Sequence, residues 1–576
     1  MQSATISDKH IAWSYLSTDQ IPTLIAREQS DPLSRSYNER RRAALRRIDE
    51  AEFSSYAIFA IDIAAQMIGY VYGQANDPKV PLPTLSRNQQ LGLKAATPIG
   101  TLLGQLLFGW LGDVLGRKGM YGIELVIIVT GTIGQALSSG GHAIHIIDVL
   151  ILWRFIMGVG IGGDYPLSAI LTSEFAATRI RGRMMTAVFA MQGFGNFTAA
   201  LVALIVTEAY KSKIIEGSIT YEAVDYCWRL LIGLGAIPGA VALYFRLTIP
   251  ETPRYTMDVE RNVQQAAQDV DTFLTTGTYT VNPDAIIERV KAPKASWADF
   301  LHHFGKWENG KILLGTAYSW FALDIAFFGL GLNATFVLTA IKFGSSPSNN
   351  ISHQLGVYQS LHGVSVGNLI LSIGGLIPGY WATFLFIDHW GRKRIQLMGF
   401  TILTLIFVCM GFGWDRMVCD TCTPQPTKGA KGAFVFLYCL ANFFQNFGPN
   451  TTAFIVPGEA FPTRYRSTAH GISAASGKLG AIIAQVGFAQ LVKSRDGQDS
   501  FIKHILQIFA LFMLTGLFAT LLIEETKGRS LEDISNEAQD DFISGGAGPL
   551  ELHDFATDLR AQMPIGITQQ PVDPAR

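Results

Sequence analysis

The sequence predicts an all-α polytopic membrane protein with twelve transmembrane helices in two six-helix bundles. Three observations carry this. Of the 576 residues 49% are apolar and only 16% charged, and apolar windows of about 20 residues, the length that crosses a ~30 Å hydrocarbon layer, recur from residue 56 to 523. Basic residues crowd into alternate loops between those windows, as the positive-inside rule requires. One charged loop is also written twice, once in each half of the chain.

Taken in order, residues 1–53 form a polar tail without the apolar core of a signal peptide, so the first span serves as its own insertion signal. Spans follow near residues 55–73, 95–112, 120–140, 145–171, 184–208 and 226–249, which with their loops make an N-terminal bundle over 54–250. The polar stretch 251–309 reads as a central loop carrying short amphipathic helices. Spans near 311–342, 357–386, 396–414, 432–457, 467–492 and 502–523 make a C-terminal bundle over 310–525, and 526–576 is a polar tail. The basic clusters at Arg40–Arg42, Arg46–Arg47, Arg117–Lys118, Arg179/Arg181/Arg183, Arg392–Arg394, Arg464/Arg466 and Lys527/Arg529 all fall on one side. Both termini are therefore expected in the cytoplasm.

The formal net charge of −1 carries no message about partners, and no nucleic acid is expected. Five cysteines make no disulfide framework; only Cys419 and Cys422 fall in a loop on the expected exterior, where free thiols or a local disulfide are both compatible. Asn350-Ile-Ser is the one glycosylation sequon in an exterior loop. No nucleophile-base constellation or metal-ligand cluster is present, so neither an enzyme, a cofactor nor a metal is expected.

The fourth span holds the most informative stretch, "RFIMGVGIGGDYPLSAILTSEF" (Arg154–Phe175). Its glycines at 158, 160 and 163 spell the dinucleotide fingerprint, but that fingerprint needs a preceding strand, and this one lies within an apolar helix. Gly158 and Gly162 read instead as a small-xxx-small pair for close helix packing. Asp164 is the anomaly, because a carboxylate at mid-bilayer costs about 2.5–3.5 kcal/mol and so turns to a cavity or a partner. Arg154 is ten residues and about 15 Å away along the same helix, a poor partner for Asp164; it lines a cavity or pairs another acid. Pro166 is expected to interrupt the helix beside the acid.

The duplicated loop is "GWLGDVLGRKGMYG" (Gly109–Gly122) and "FIDHWGRKRIQLMG" (Phe386–Gly399), which share Asp-x-x-Gly-Arg-Lys. The halves also exit alike, through "IPETPRY" (Ile249–Tyr255) and "IEETKGRSLED" (Ile523–Asp533). With these features the chain resembles the major facilitator superfamily over residues 55–535. The resemblance implies two bundles rocking about a mid-membrane site, with Asp113, Arg117, Asp388 and Arg392 in loops that latch the cytoplasmic side.

"GGDYPLSAILTSE" (Gly162–Glu174) resembles the signature of the phosphate:proton symporters of that superfamily. "YSWFALDIAFFGLGLN" (Tyr318–Asn333) and "FFQNFGPNTTAFIVPGEAFPTRYRSTAHGISAASGKLGAI" (Phe443–Ile482) are similar to segments of fungal high-affinity phosphate permeases. The resemblance implies a phosphate site between the bundles, formed by Tyr165, Gln192, Trp320, Asp324 and Asn450, with Lys478 as its cation and Asp164 and Asp324 as proton couplers. Those residue types suit the task. Tyr, Trp, Gln and Asn offer neutral donors to an oxyanion, and Lys offers charge. A carboxylate beside an anion in low dielectric is tolerable only when one of them holds a proton, which is how the two fluxes become coupled. Trp320, Asp324 and Phe328 recur at i, i+4 and i+8 and share one helix face.

Two positions depart from the resemblance. Phe328 stands where the permeases carry a tyrosine. The first span, at about 17 apolar residues, is at the short limit for crossing and reads as truncated, with Ser54 and Ala57 at the positions of two family acids. Asp62 lies about 140° around the helix from Ala57 and does not replace them. An incorrectly joined exon or a paralogue with impaired coupling would each explain this. The expected activity is uptake of inorganic phosphate with protons across the plasma membrane, in contact with the lipid bilayer. The alternatives are a sugar or glycerophosphodiester facilitator, or a phosphate sensor that does not transport.

Overall fold

The computed structural model describes residues 54–73, 83–216, 220–246, 296–340, 353–418, 426–491 and 501–535. The N-terminal tail, the C-terminal tail beyond Ser535, most of the central loop, Asn350, Cys419 and Cys422 lie outside the described residues. Eleven described helices are long and apolar enough to cross a membrane. In the N-terminal half these are α1 (Ser54–Tyr72), α2 (Arg87–Val114), α3 (Arg117–Ala136), α4 (Ile146–Phe175), α5 (Arg181–Ala209) and α6 (Tyr221–Leu243). In the C-terminal half they are α7 (Trp307–Gly331), α8 (Gln354–Trp390), α9 (Arg392–Met417), α11 (Arg466–Leu491) and α12 (Ile502–Thr520), with a broken helix, α10 (Lys428–Asn446 and Pro449–Ala460), in the tenth place.

The break in α10 corrects the expectation of one continuous span over 432–457. Pro449 starts the second segment at its first turn, where its missing N–H costs nothing, and the chain turns through Phe447 and Gly448 to reach it. The reverse correction applies at Pro166, where α4 runs unbroken for 30 residues. The proline removes one bond to the Gly162 carbonyl, a loss that a buried helix flanked by neighbours on every side can absorb. α8 carries a π-helical segment, Ser372–Leu376, midway along its length.

Glycine governs the approach of α4 to α2. A Cβ on Gly158 or Gly162 would run into the carbonyls of Thr97 and Thr101, and a Cβ on Gly100 or Gly104 into those of Phe155 and Val159. Two helices so notched pack backbone to backbone, as the Gly158/Gly162 pair predicts. The glycine of each Asp-x-x-Gly-Arg-Lys loop has another reason. Gly116 and Gly391 sit at φ 98° and 95°, a region closed to most side chains, and each turns the chain sharply from one span into the next.

The halves meet along two seams, α2 against α11 and α5 against α8, with the second segment of α10 packed on α4 and α5. Outer faces carry large exposed apolar side chains, such as Leu103, Leu107 and Trp110 on α2, as lipid-facing surfaces do. Between Lys306 and the tail of the central loop, the helix Trp297–Gly305 is amphipathic as expected. It buries Phe300 against Tyr465 and exposes Trp297 and Leu301.

Candidate functional site

A pocket opens halfway along the bundle where α1, α4, α5 and α10 converge. It is lined by Ser54 and Ser55, by Asp164, Tyr165 and Ser168, by Val188, Phe189 and Gln192, and by Phe454. Asp164 is 5% exposed, and its Oδ2 accepts a hydrogen bond from Ser54 Oγ at 2.8 Å. Ser54, noted in the sequence only as the replacement of an acid, thus supports the acid that remains. Gln192 couples the pocket to the other half of the protein. Its Nε2 donates to Tyr165 Oη at 3.4 Å, while its Oε1 accepts from Tyr380 Oη at 2.5 Å and from Asn450 Nδ2 at 3.2 Å. Asn450 Nδ2 also lies 2.8 Å from both Tyr380 Oη and Asn446 Oδ1.

Behind the Tyr165 ring lies the second charged group. Lys478 Nζ, on α11, sits 2.7 Å from Asp324 Oδ2 on α7, with both side chains almost wholly buried. The same ammonium lies 4.9 Å from the Tyr165 ring centre and 4.3 Å from that of Phe328, distances at which a desolvated cation is held by aromatic faces. Trp320 tilts against Tyr165 at 6.3 Å and meets His470 edge-on at 5.5 Å.

The expected site residues therefore divide. Asp164, Tyr165 and Gln192 line the pocket. Asn450, Trp320 and Lys478 touch its lining residues from behind, and Asp324 pairs with Lys478. The shared face of Trp320, Asp324 and Phe328 meets Lys478, Tyr165 and the ring of Phe59. Arg154 corrects another expectation. Its guanidinium donates to Leu93 O at 2.8 Å and Gln135 Oε1 at 3.2 Å, so among the described residues it neither lines the pocket nor pairs an acid.

At the end of the bundle that carries the basic loops, charged groups tie the halves together. Asp113 on α2 accepts from Ser467 N (3.1 Å), Thr468 N (2.7 Å) and Thr468 Oγ1 (2.8 Å) on α11. Arg117 reaches Asp113 at 3.3 Å and donates to Thr463 O at 2.7 Å. Arg466 meets Glu174 across the seam at 2.9 Å. The second copy of the loop repeats the pattern, with Arg392 bridging Asp388 at 3.0 Å and Glu459 at 2.9 Å, and with Asp388 accepting from Arg183 N at 3.1 Å. Glu525 accepts from the backbone N–H groups of Arg392 and Lys393 at the start of α9, where a carboxylate is favoured by the helix dipole.

Residues 51–538 match the family described as sugar (and other) transporter. The chain belongs to that family. The match spans both bundles and makes this multi-pass membrane protein a transporter rather than an enzyme. The chain is 46% identical to the repressible high-affinity phosphate permease of Neurospora crassa, over 87% of this chain and 90% of the permease. It is 45% identical to an inorganic phosphate transporter of Saccharomyces cerevisiae, over 93% and 92% of the two chains. Among solved structures it shares the fold of the major-facilitator proton:xylose symporter XylE, with a TM-score of 0.62 at 17% identity over 87% of this chain and 99% of that one.

The charged cluster at the basic end of this transporter also includes Glu174, Glu459, Glu525 and Arg466, which the resemblance does not single out. A signal for them exists. "EFAATRIR" (Glu174–Arg181) and "EAFPTRYR" (Glu459–Arg466) share Glu-x-x-x-Thr-Arg-x-Arg, a second duplicated element, and each glutamate meets the arginine of its own half's Gly-Arg-Lys loop.

Proposed function

We propose that this transporter imports inorganic phosphate together with protons across the plasma membrane by alternating access, with the basic end of the bundle and both termini in the cytoplasm. The phosphate relatives support the substrate, and one observation carries the mechanism: the buried ammonium of Lys478 lies 4.9 Å from the ring of Tyr165, a residue of the pocket wall, and is paired with Asp324 at 2.7 Å. A ligand that arrives as an anion competes with Asp324 for that ammonium. A proton delivered to Asp324 cancels its charge and releases Lys478 to the anion, so proton and anion occupy the site together. Neutral sugars need no such cation.

On this reading Tyr165, Gln192, Trp320 and Asn450 supply neutral donors, and Lys478 supplies charge. Asp164 and Asp324 carry protons on the two sides of Tyr165. Asp164 is held by the Ser54 hydroxyl, which donates to the carboxylate and can turn to accept from the acid, so protonation there leaves no orphaned group. Asp113, Arg117, Asp388 and Arg392 hold the cytoplasmic side shut.

The test is uptake of labelled phosphate into proteoliposomes with an acid exterior. Accumulation should track the proton gradient, collapse with a protonophore, and vanish in Asp164→Asn and Asp324→Asn while exchange of phosphate persists at a reduced rate. Unchanged accumulation in both variants refutes the mechanism. The family's sugar transporters motivate a second reading, a sugar as substrate, which predicts that excess glucose or xylose competes with phosphate; on the proposed reading neither does.

A further inference from the structure

The end of the bundle opposite the basic loops is closed by a second charged cluster that the transport mechanism above does not use. Asp62 on α1 and Lys94 on α2 form an ion pair at 3.1 Å, with side chains 3% and 12% exposed. Both come from the N-terminal half, and both reach across to the C-terminal half. Asp62 Oδ2 accepts from Thr335 N at 2.8 Å and from Thr335 Oγ1 at 2.7 Å, and Lys94 Nζ donates to Asn333 Oδ1 at 3.1 Å. Asn333 in turn donates to Gln485 Oε1 at 3.1 Å, which anchors it to α11. One turn further along α1, Gln66 Nε2 and Tyr70 Oη meet Ser360 Oγ of α8 at 2.8 and 3.0 Å. Ser54 and Ser55 of the pocket wall lie about two helical turns from Asp62 along α1.

We propose that Asp62, Lys94, Asn333 and Thr335 form the outer gate of the carrier, and that Lys94 is the first cation an incoming oxyanion meets when it opens; the proposal rests on the orientation and substrate read above. Its construction suits that task. The ion pair lies within one half, so rocking the halves apart leaves it whole. What breaks are the bonds from Thr335 and to Asn333, and the parting exposes an ammonium one of whose partners has just left. An arrangement that put Asp62 and Lys94 on opposite halves would strand two buried charges at each opening.

The test reads access and needs no substrate. In a chain whose native cysteines are replaced by serine, Ser55→Cys places a thiol on the pocket wall below the gate, and a membrane-impermeant thiosulfonate added to intact cells reports how often the outer path opens. A hydrogen bond to a charged group holds the closed state by about tenfold or more. Thr335→Val, which is isosteric, should therefore accelerate labelling of that cysteine about tenfold. The double variant Asp62→Asn/Lys94→Gln, which conserves net charge, should do the same, and its elution as a single species shows that it folds. Labelling at the parental rate in both variants overturns the gate. Accelerated labelling in a protein that carries no phosphate leaves the gate standing and refutes the substrate reading instead.

Discussion

Breaking the Lys478–Asp324 pair one partner at a time should destabilise the protein more than removing both partners. The ammonium and carboxylate are 2.7 Å apart with side chains 2% and 1% exposed, so neither has water to fall back on. Stranding one such charge costs about 3–5 kcal/mol. Lys478→Gln leaves Asp324 facing an amide, and Asp324→Asn leaves the ammonium held by the Tyr165 and Phe328 rings, whose attraction of about 2 kcal/mol for a desolvated cation recovers only part of the loss. Asp324→Asn/Lys478→Gln together replaces the ion pair with two amides that can bond each other for about 1 kcal/mol. The double variant should therefore be more stable than either single one, with a coupling of about 3 kcal/mol. Unfolding of purified protein in mixed micelles by added dodecyl sulfate, followed by tryptophan fluorescence, measures all four corners of the cycle. Losses that simply add would show that the two groups do not sense each other and that an anion has nothing to displace. The double variant, though folded, should accumulate no phosphate.

Three further outcomes follow from particular contacts. Gly162→Val puts a Cβ 2.7 Å from both Gln105 N and Gly104 Cα, backbone on a facing helix that cannot swing aside; the α2–α4 packing fails, and little monodisperse protein should be recovered. Arg392→Gln strands Glu459, buried at 0% exposure, and loosens Asp388, so thiol labelling of the pocket from the cytoplasmic side should rise while apparent stability falls by about 3–5 kcal/mol. His303, in the central-loop helix, is pushed down to about 4 by burial and by the Arg464 guanidinium. Because its folded value lies below the ordinary one near 6.5, the unfolded helix binds the extra proton; docking of the helix is therefore strongest above about pH 6.5 and weakens as pH falls toward 4. Limited proteolysis of the central loop across that window should show the acid loosening in the parent and a flat profile in His303→Asn.

The number and order of the helices were legible because lipid demands one thing everywhere, a long apolar run, and because lysine and arginine mark alternate loops. What periodicity could not supply was the interruption of α10, since Phe447 and Gly448 are as apolar as the helices around them and only Pro449 marks the restart. Pro166 misled in the other direction, because the packing that absorbs its lost hydrogen bond comes from helices distant in sequence. At the site, Asp164 and Asp324 stood out through the cost of a carboxylate in hydrocarbon. That cost says nothing of where the carboxylate turns, and the partner that took Asp324 behind the Tyr165 ring lies 154 residues away. The glutamates that meet Arg117 and Arg392 are readable from the second duplicated element, Glu-x-x-x-Thr-Arg-x-Arg. Asp62 faces away from the positions of the missing acids, and that direction carries it to Thr335.

A carrier that alternates cannot be latched much more firmly at one end than at the other, because a ligand shifts a conformational balance only by its own preference for one state. The contacts across the halves show how this chain keeps the balance. At the basic end Asp113 accepts three bonds from α11, Arg466 meets Glu174, and Asp388 accepts from Arg183 N. At the opposite end Asp62 accepts two from Thr335, Lys94 gives one to Asn333, and Ser360 takes two from α1. Each set mixes charge-assisted bonds, worth about 1.5–3 kcal/mol apiece, with neutral ones near 1. The basic end holds the larger share of charge. The free energy needed to open that end is what occupation of the pocket must contribute, and on the proposed reading the Lys478 ammonium supplies it by exchanging the Asp324 carboxylate for an anion and a proton.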